Sequence, residues 1–208
     1  MISEPVTLAT DYALAVLNFV FAWMLRRQAE GQRARKAWAL AFLALGLAAA
    51  FGGTYHGFSP RLPDALRFLL WKATVLAVGV GAAALIVGSA TAMAETRVRR
   101  ALTAFAMVTF ALYAGWMLLH NAYVFVVLDT AVAMVVVAAL HAGTPFARAA
   151  PASRWILAGV ALSAVAAGIQ AGGVRLHEHF NHNDLYHVLQ MGAMGLFYAG
   201  ARQLRDRG

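Results

Sequence analysis

The sequence has no cysteine in its 208 residues. Disulfides, iron–sulfur clusters, thiolate-held zinc and c-type haem attachment are thereby excluded, so any metal must be held by histidine, carboxylate or amide oxygen. Serine is nearly as scarce. None of Ser3, Ser59, Ser89, Ser153 and Ser163 lies in a G-x-S-x-G elbow, which argues against nucleophilic-serine chemistry. Charge is also sparse: Asp, Glu, Lys and Arg make up 12% of the chain against 62% hydrophobic residues, with mean hydropathy +0.66. A water-soluble domain of this length could not hide that much apolar surface. The net charge of +8 does not indicate a nucleic-acid binder, because the basic residues are spread through short segments between apolar runs.

Those runs have membrane-spanning length. Seven occur, at about 9–25, 37–57, 66–93, 100–118, 121–141, 155–174 and 184–203. The fourth and fifth are nearly continuous and are divided at His120–Asn121, because one 42-residue helix would be about twice the bilayer thickness. Alternate connections carry Lys and Arg unequally. One side holds thirteen, from Arg26 to Arg207, and the other holds Arg61, Arg67 and Arg175, with Lys72 inside the third run. The positive-inside rule then predicts an outside N-terminus and an inside C-terminus. The expected fold is all-α, a single seven-transmembrane-helix bundle over 1–208, integral to a membrane and, in a bacterium, to the inner membrane. MISEPVTLATD is acidic, so the first run reads as a retained span. Small residues at four-residue spacing, Ala77 with Gly81, Ala84 with Gly88 and Gly168 with Gly172, predict close helix packing.

This topology puts six of the seven histidines at the outer ends: His56, His120, His177, His179, His182 and His187. Glu4, Asp11, Asp64, Glu178 and Asp184 join them, and His141 lies at the inner end. Such residues are common at interfaces as turn formers and caps. The segment HNDLYHVLQMG carries more information. Asp184 and His187 are three apart, Asn183 and His187 are four apart, and His179 extends the stripe by one turn. Imidazole with carboxylate suits Zn²⁺, and catalytic zinc needs three protein ligands and an open water position. The expected ligands are His56, His187 and His182, with Asn183, His179 and His120 as alternates, and Asp11 or Asp129 as general base or orienting group. Lys72 and Asp129 lie about 10–12 Å inside the bundle and are expected to pair or to serve function, since an uncompensated intramembrane ion costs about 2.5–3.5 kcal/mol. Trp38, Tyr55, Trp116, Tyr123 and Trp155 fit interfacial belts.

Seven spans, an outside N-terminus, a histidine ending span two and an N/H-x-x-x-H element opening span seven resemble the CREST superfamily, which includes alkaline ceramidases and adiponectin-receptor-like proteins. The resemblance implies a zinc ion bound by three histidines, with a serine and an aspartate nearby, and hydrolysis of lipid amides. His56 and His187 match two of the ligands; the third falls on Asn183 and the serine on Gly52. EPVTLATDY also resembles the acidic start of span one, and GGTYHGF with NHNDLYHVLQMGA resembles an uncharacterised bacterial membrane-protein family. Three functions are therefore expected to compete. The first is a zinc-dependent hydrolase of a lipid amide or related amphiphile at the outer face. The second is a non-catalytic seven-span protein, an assembly subunit or lipid-binding receptor, with a hydrogen-bonded outer polar cluster. The third is a carrier holding haem b between two histidines. Membrane lipids are expected partners, with a membrane-protein partner or a second copy as further possibilities.

Overall fold

A computed structural model describes residues 2–143, 145–177 and 180–207. Helices follow the apolar runs: α1 (Pro5–Arg27), α2 (Arg33–Phe58), α3 (Asp64–Met93), α4 (Thr96–Leu119), α5 (Val124–Ala142), the short α6 (Pro145–Ala149), α7 (Pro151–Ala171) and α8 (His182–Ala201). No strand occurs among the described residues, where β pairing is limited to an isolated bridge between His177 and Phe180. The chain breaks between α4 and α5 at residues 120–123, where the length argument divides it. Among the described residues six helices are long and apolar enough to cross a membrane: α1, α2 with the 3₁₀ turn that follows it, α3, α4, α5 and α7. α8 is not among them, because its first half carries His182, Asn183, Asp184, His187 and Gln190.

The packing order explains where a cavity can form. α1 contacts α2 and α8, α3 contacts α2, α4 and α5, and α7 contacts α8 and α5. α4 is peripheral, with only Ala106, Tyr113 and Met117 buried, and it presents Phe105, Met107, Val108, Leu112 and Leu119 outward. So broad an apolar face suits contact with lipid. Toward the arginine-rich end an aromatic cluster fills the core. Trp38 is fully buried between Phe42 and Phe197, at 6.3 and 5.5 Å between ring centroids, and Gly88 leaves room for its indole. A Cβ at Gly168 would meet no other element within 4 Å, and one at Gly172 would meet mainly its own helix, so that pair makes no close helix approach.

The segment after α8 closes the arginine-rich end. Gln32 precedes α2 without capping it, and Asp206 does so instead, accepting from Ala34 N at 2.8 Å and Arg33 N at 3.0 Å. Arg35 Nε donates to Leu204 O, and Arg207 Nη1 donates to Met93 O at the end of α3. Burial alone would raise the Asp206 pKa, but the two amides and the Arg33 guanidinium hold it below its ordinary 3.8. A depressed carboxylate stabilises the fold above its unfolded-state pKa and loses that contribution as pH falls through the folded-state value. We therefore expect Asp206→Asn to lower stability by about 1 kcal/mol at pH 6, with the gap to the native chain closing below pH 3.8. Thermal unfolding in detergent at the two pH values measures this.

Lys72 does not pair with Asp129. Buried on α3, its ammonium donates to His120 O at 2.9 Å, to Asn121 Oδ1 at 2.7 Å and to Met117 O, so it caps the C-terminus of α4. The carbonyls ending a helix have no intrahelical partner and attract a cation, which outcompetes a carboxylate on α5 for this one. Asp129 keeps one buried carboxylate oxygen without a partner.

Candidate functional site

At the histidine-rich end the first turns of α1 and α8 meet. Asn181 accepts from Asn183 N at 2.7 Å and from Asp184 N at 3.4 Å, while Asp184 Oδ2 accepts from Asn181 N at 2.7 Å, forming a capping box. The other oxygen of Asp184 accepts from Thr7 Oγ1 at 2.8 Å. Fully buried, Asp184 thus ties the two helix starts together and sets the direction of α8.

One turn on, that direction aims His187 at α1. Its Nδ1 lies 3.0 Å from Thr10 Oγ1 and its Nε2 lies 3.3 Å from Asp11 Oδ1. The Thr10 hydroxyl also lies 3.1 Å from the carbonyls of Val6 and Thr7. With the hydroxyl proton directed to those carbonyls, the threonine oxygen accepts from Nδ1–H, and His187 Nε2 and Asp11 share one proton between them. His56, at the end of α2, stands beside Glu4, with Nδ1 3.3 Å from Oε2. Ser3 joins the same end of α2, its hydroxyl donating to the carbonyls of His56 and Gly57.

These residues border a cavity of about 360 Å³ among α1, α2, α3, α5 and α8. Asp11, His56, Asn183 and His187 stand in its wall, with Tyr55, Trp71, Tyr123 and Tyr186. Leu45, Val78, Ala82, Leu85 and Met194, further along their helices from the histidine-rich end, supply apolar wall. Gly52, on which the serine of the superfamily pattern falls, lies in the same wall. A Cβ there would stand 3.7 Å from Thr74 Cγ2 and 4.0 Å from Asp11 Oδ2.

The expected site residues divide. Asp11, His56, Asn183 and His187 come together on the cavity, and His182 and Asp129 are not in its lining. The Nδ1 of His182 is buried without a hydrogen-bond partner. His120 stacks on Trp116 at 3.8 Å, with Nδ1 3.0 Å from Trp116 O. His179 lies outside the described residues. Thr10, Asn18, Trp71, Gln170 and Gln190 were not singled out by sequence. Asn18, two turns after Asp11, and Gln190, three residues after His187, continue the same helix stripes, and that spacing is the signal that could have found them.

The donors His56, Asn183 and His187 on the cavity are engaged within the protein. Among the described residues no three His, Asp or Glu side chains are grouped so as to hold a metal ion. His187 has both ring nitrogens engaged, His56 has Nδ1 directed to Glu4, and the third position on the stripe is the amide of Asn183, whose oxygen accepts from Gln170 at 3.1 Å. A haem axial bond would need His187 Nε2, which faces Asp11. Among the described residues this arrangement therefore presents neither a ready-made three-ligand metal site nor a free Nε2 on His187.

A family model, that of a family of unknown function (DUF6962), matches residues 6–206. No curated protein and no solved structure matches the chain.

Proposed function

The chain belongs to the DUF6962 family, whose function is unknown, and we propose from the geometry that it is an integral membrane protein that binds an amphiphile inside its helix bundle. The single observation that carries this reading is the distribution of groups around the cavity. Hydrogen-bonding side chains gather where α1 and α8 begin, and aliphatic ones follow below them. Binding sites for small molecules commonly combine an apolar wall with a few placed polar groups. Here the head of the ligand meets Asp11, His187 and Asn183, and its body lies along Leu45, Leu85 and Met194.

In this reading α8 is the seventh span. Asn183, His187 and Gln190 of its first half line the cavity and Asp184 bonds Thr7 of α1, so most of the residues that lower its hydropathy do not face lipid. The arginine-rich end is cytoplasmic, and in a bacterium the cavity lies at the periplasmic side of the inner membrane.

Trp71 in the cavity wall provides the test. Titration of the purified chain in detergent with a brominated monoacylglycerol is expected to give saturable tryptophan quenching. Most of the saturable component should disappear in Trp71→Phe. Quenching that never saturates, or that is the same in both proteins, would overturn the reading. A zinc-dependent hydrolase remains the competing proposal, supported by the shared exposure of His56 and His187 to one cavity. Near one zinc per chain by elemental analysis, lost in His56→Ala with His187→Ala, would favour it instead.

A further inference from the structure

Four polar atoms on residues of the cavity wall are buried and have no hydrogen-bond partner among the described residues: Asp11 Oδ2, Asn18 Oδ1, Gln190 Oε1 and Trp71 Nε1. Such atoms are rare in folded proteins and cost about 1–3 kcal/mol each when left unpaired. Three of the four are acceptors, so the wall calls for a ligand that brings donors. Asn18 is 1% exposed and its Nδ2 donates to Leu14 O at 2.8 Å, which leaves the orphaned oxygen as its remaining polar atom. Asp11 is 5% exposed, with Oδ1 toward His187 and Oδ2 free.

Around these acceptors carboxyl groups outnumber the fixed cations. Asp11 lines the cavity, with Asp184 and Glu4 close enough to act on it electrostatically. No lysine or arginine is in the lining, and Lys72, although buried nearby on α3, spends its ammonium on the end of α4. His56 and His187 are the titratable bases that face the site. The aromatic wall has the same preference. Tyr55 and Trp71 lie 5.9 Å apart and Trp71 and Tyr123 lie 6.2 Å apart, an almost continuous π surface of the kind that attracts cations.

We propose that the ligand is a protonated amine on an apolar body, its ammonium held between Asp11 Oδ2 and Gln190 Oε1 beside the Tyr55–Trp71–Tyr123 wall. His187 stands opposite Asp11, and Gln190 is three residues further along α8, about 4.5 Å of helix rise. An ammonium carries three N–H groups, enough to serve one acceptor on each helix. Asn18 lies seven residues beyond Asp11, about 10 Å deeper, where it accepts a second donor on the same molecule. A quaternary ammonium would satisfy the aromatic wall but none of the acceptors, so a primary or secondary amine is preferred.

The inference rests on amphiphile binding in this cavity. Its test uses the same Trp71 quenching by brominated monoacylglycerol, now with dodecylamine, dodecanol and dodecanoate as competitors for the full chain in a neutral detergent. Dodecylamine is expected to displace the probe at a concentration about tenfold below dodecanol, with dodecanoate weakest, as suits a charge-assisted hydrogen bond. In Asp11→Asn and in Gln190→Leu the amine-to-alcohol ratio is expected to fall toward one, and in Asp129→Asn, whose side chain is off the cavity, to stay as in the native chain. Equal displacement by the three competitors, or an amine preference that survives both cavity variants, overturns the amine assignment while leaving amphiphile binding in place. Absence of saturable quenching by the probe overturns both.

Discussion

Gly200→Ala is expected to cost about 2–3 kcal/mol, while the same substitution at Gly195, five residues earlier on α8, is expected to be neutral or slightly stabilising. A Cβ at Gly200 would stand 2.6 Å from Ile156 Cγ1, 3.0 Å from Ala152 O and 3.2 Å from Ile156 N. Two of those three atoms are backbone, so a side-chain rotation cannot relieve the contact and α7 must move away from α8. At Gly195 nothing lies within 4 Å of a Cβ, and the substitution merely removes glycine's excess backbone freedom. The two variants, compared by thermal unfolding in one detergent, separate helix contact from helix propensity. Equal effects would show that the α7–α8 approach contributes little.

Lys72→Met is expected to cost about 2–4 kcal/mol and to loosen the α4–α5 connection. The substitution keeps most of the side-chain volume and removes the donor to Met117 O, His120 O and Asn121 Oδ1. Because Lys72 is buried, the carbonyls ending α4 that it serves would lose their partner. Amide exchange around residues 117–126 is the direct measurement. Asp129→Asn provides the contrast, because an ion pair would make the two losses similar and strongly non-additive in the double variant. A small effect of Asp129→Asn beside a large one of Lys72→Met is the expected pattern.

The helices were legible because hydropathy and length act locally. A run of apolar residues dictates a helix, and the bilayer-length limit locates the break at His120–Asn121 without knowledge of any partner. The site was legible only where helical periodicity reached. His187, Asn183 and Asp184 were placed on one face by three- and four-residue spacing. The same arithmetic separates His182 from His187, since five residues turn a helix by about 140° beyond a full circle. Proximity in sequence made His182 attractive as a ligand, although its angular position already turned it from the cavity. The partners of Lys72 were beyond reach for a different reason. Nothing in the sequence of α3 reveals that the end of α4 lies beside it with unpaired carbonyls, because that is a property of two helices packed together. The apolar pattern likewise obscured Asn18, a single amide in a hydrophobic helix whose meaning appears only with the cavity it faces.

The closure at the arginine-rich end bears on how the chain matures in a cell. Asp206 completes the start of α2 and Arg207 the end of α3, so residues translated after α8 supply the final bonds of helices made much earlier. Until that segment is made, the first amides of α2 lack the carboxylate that accepts from them in the finished fold. Assembly is consequently timed by translation: the early helices stay free to adjust against α7 and α8 as these arrive, and the last residues lock the arrangement they find.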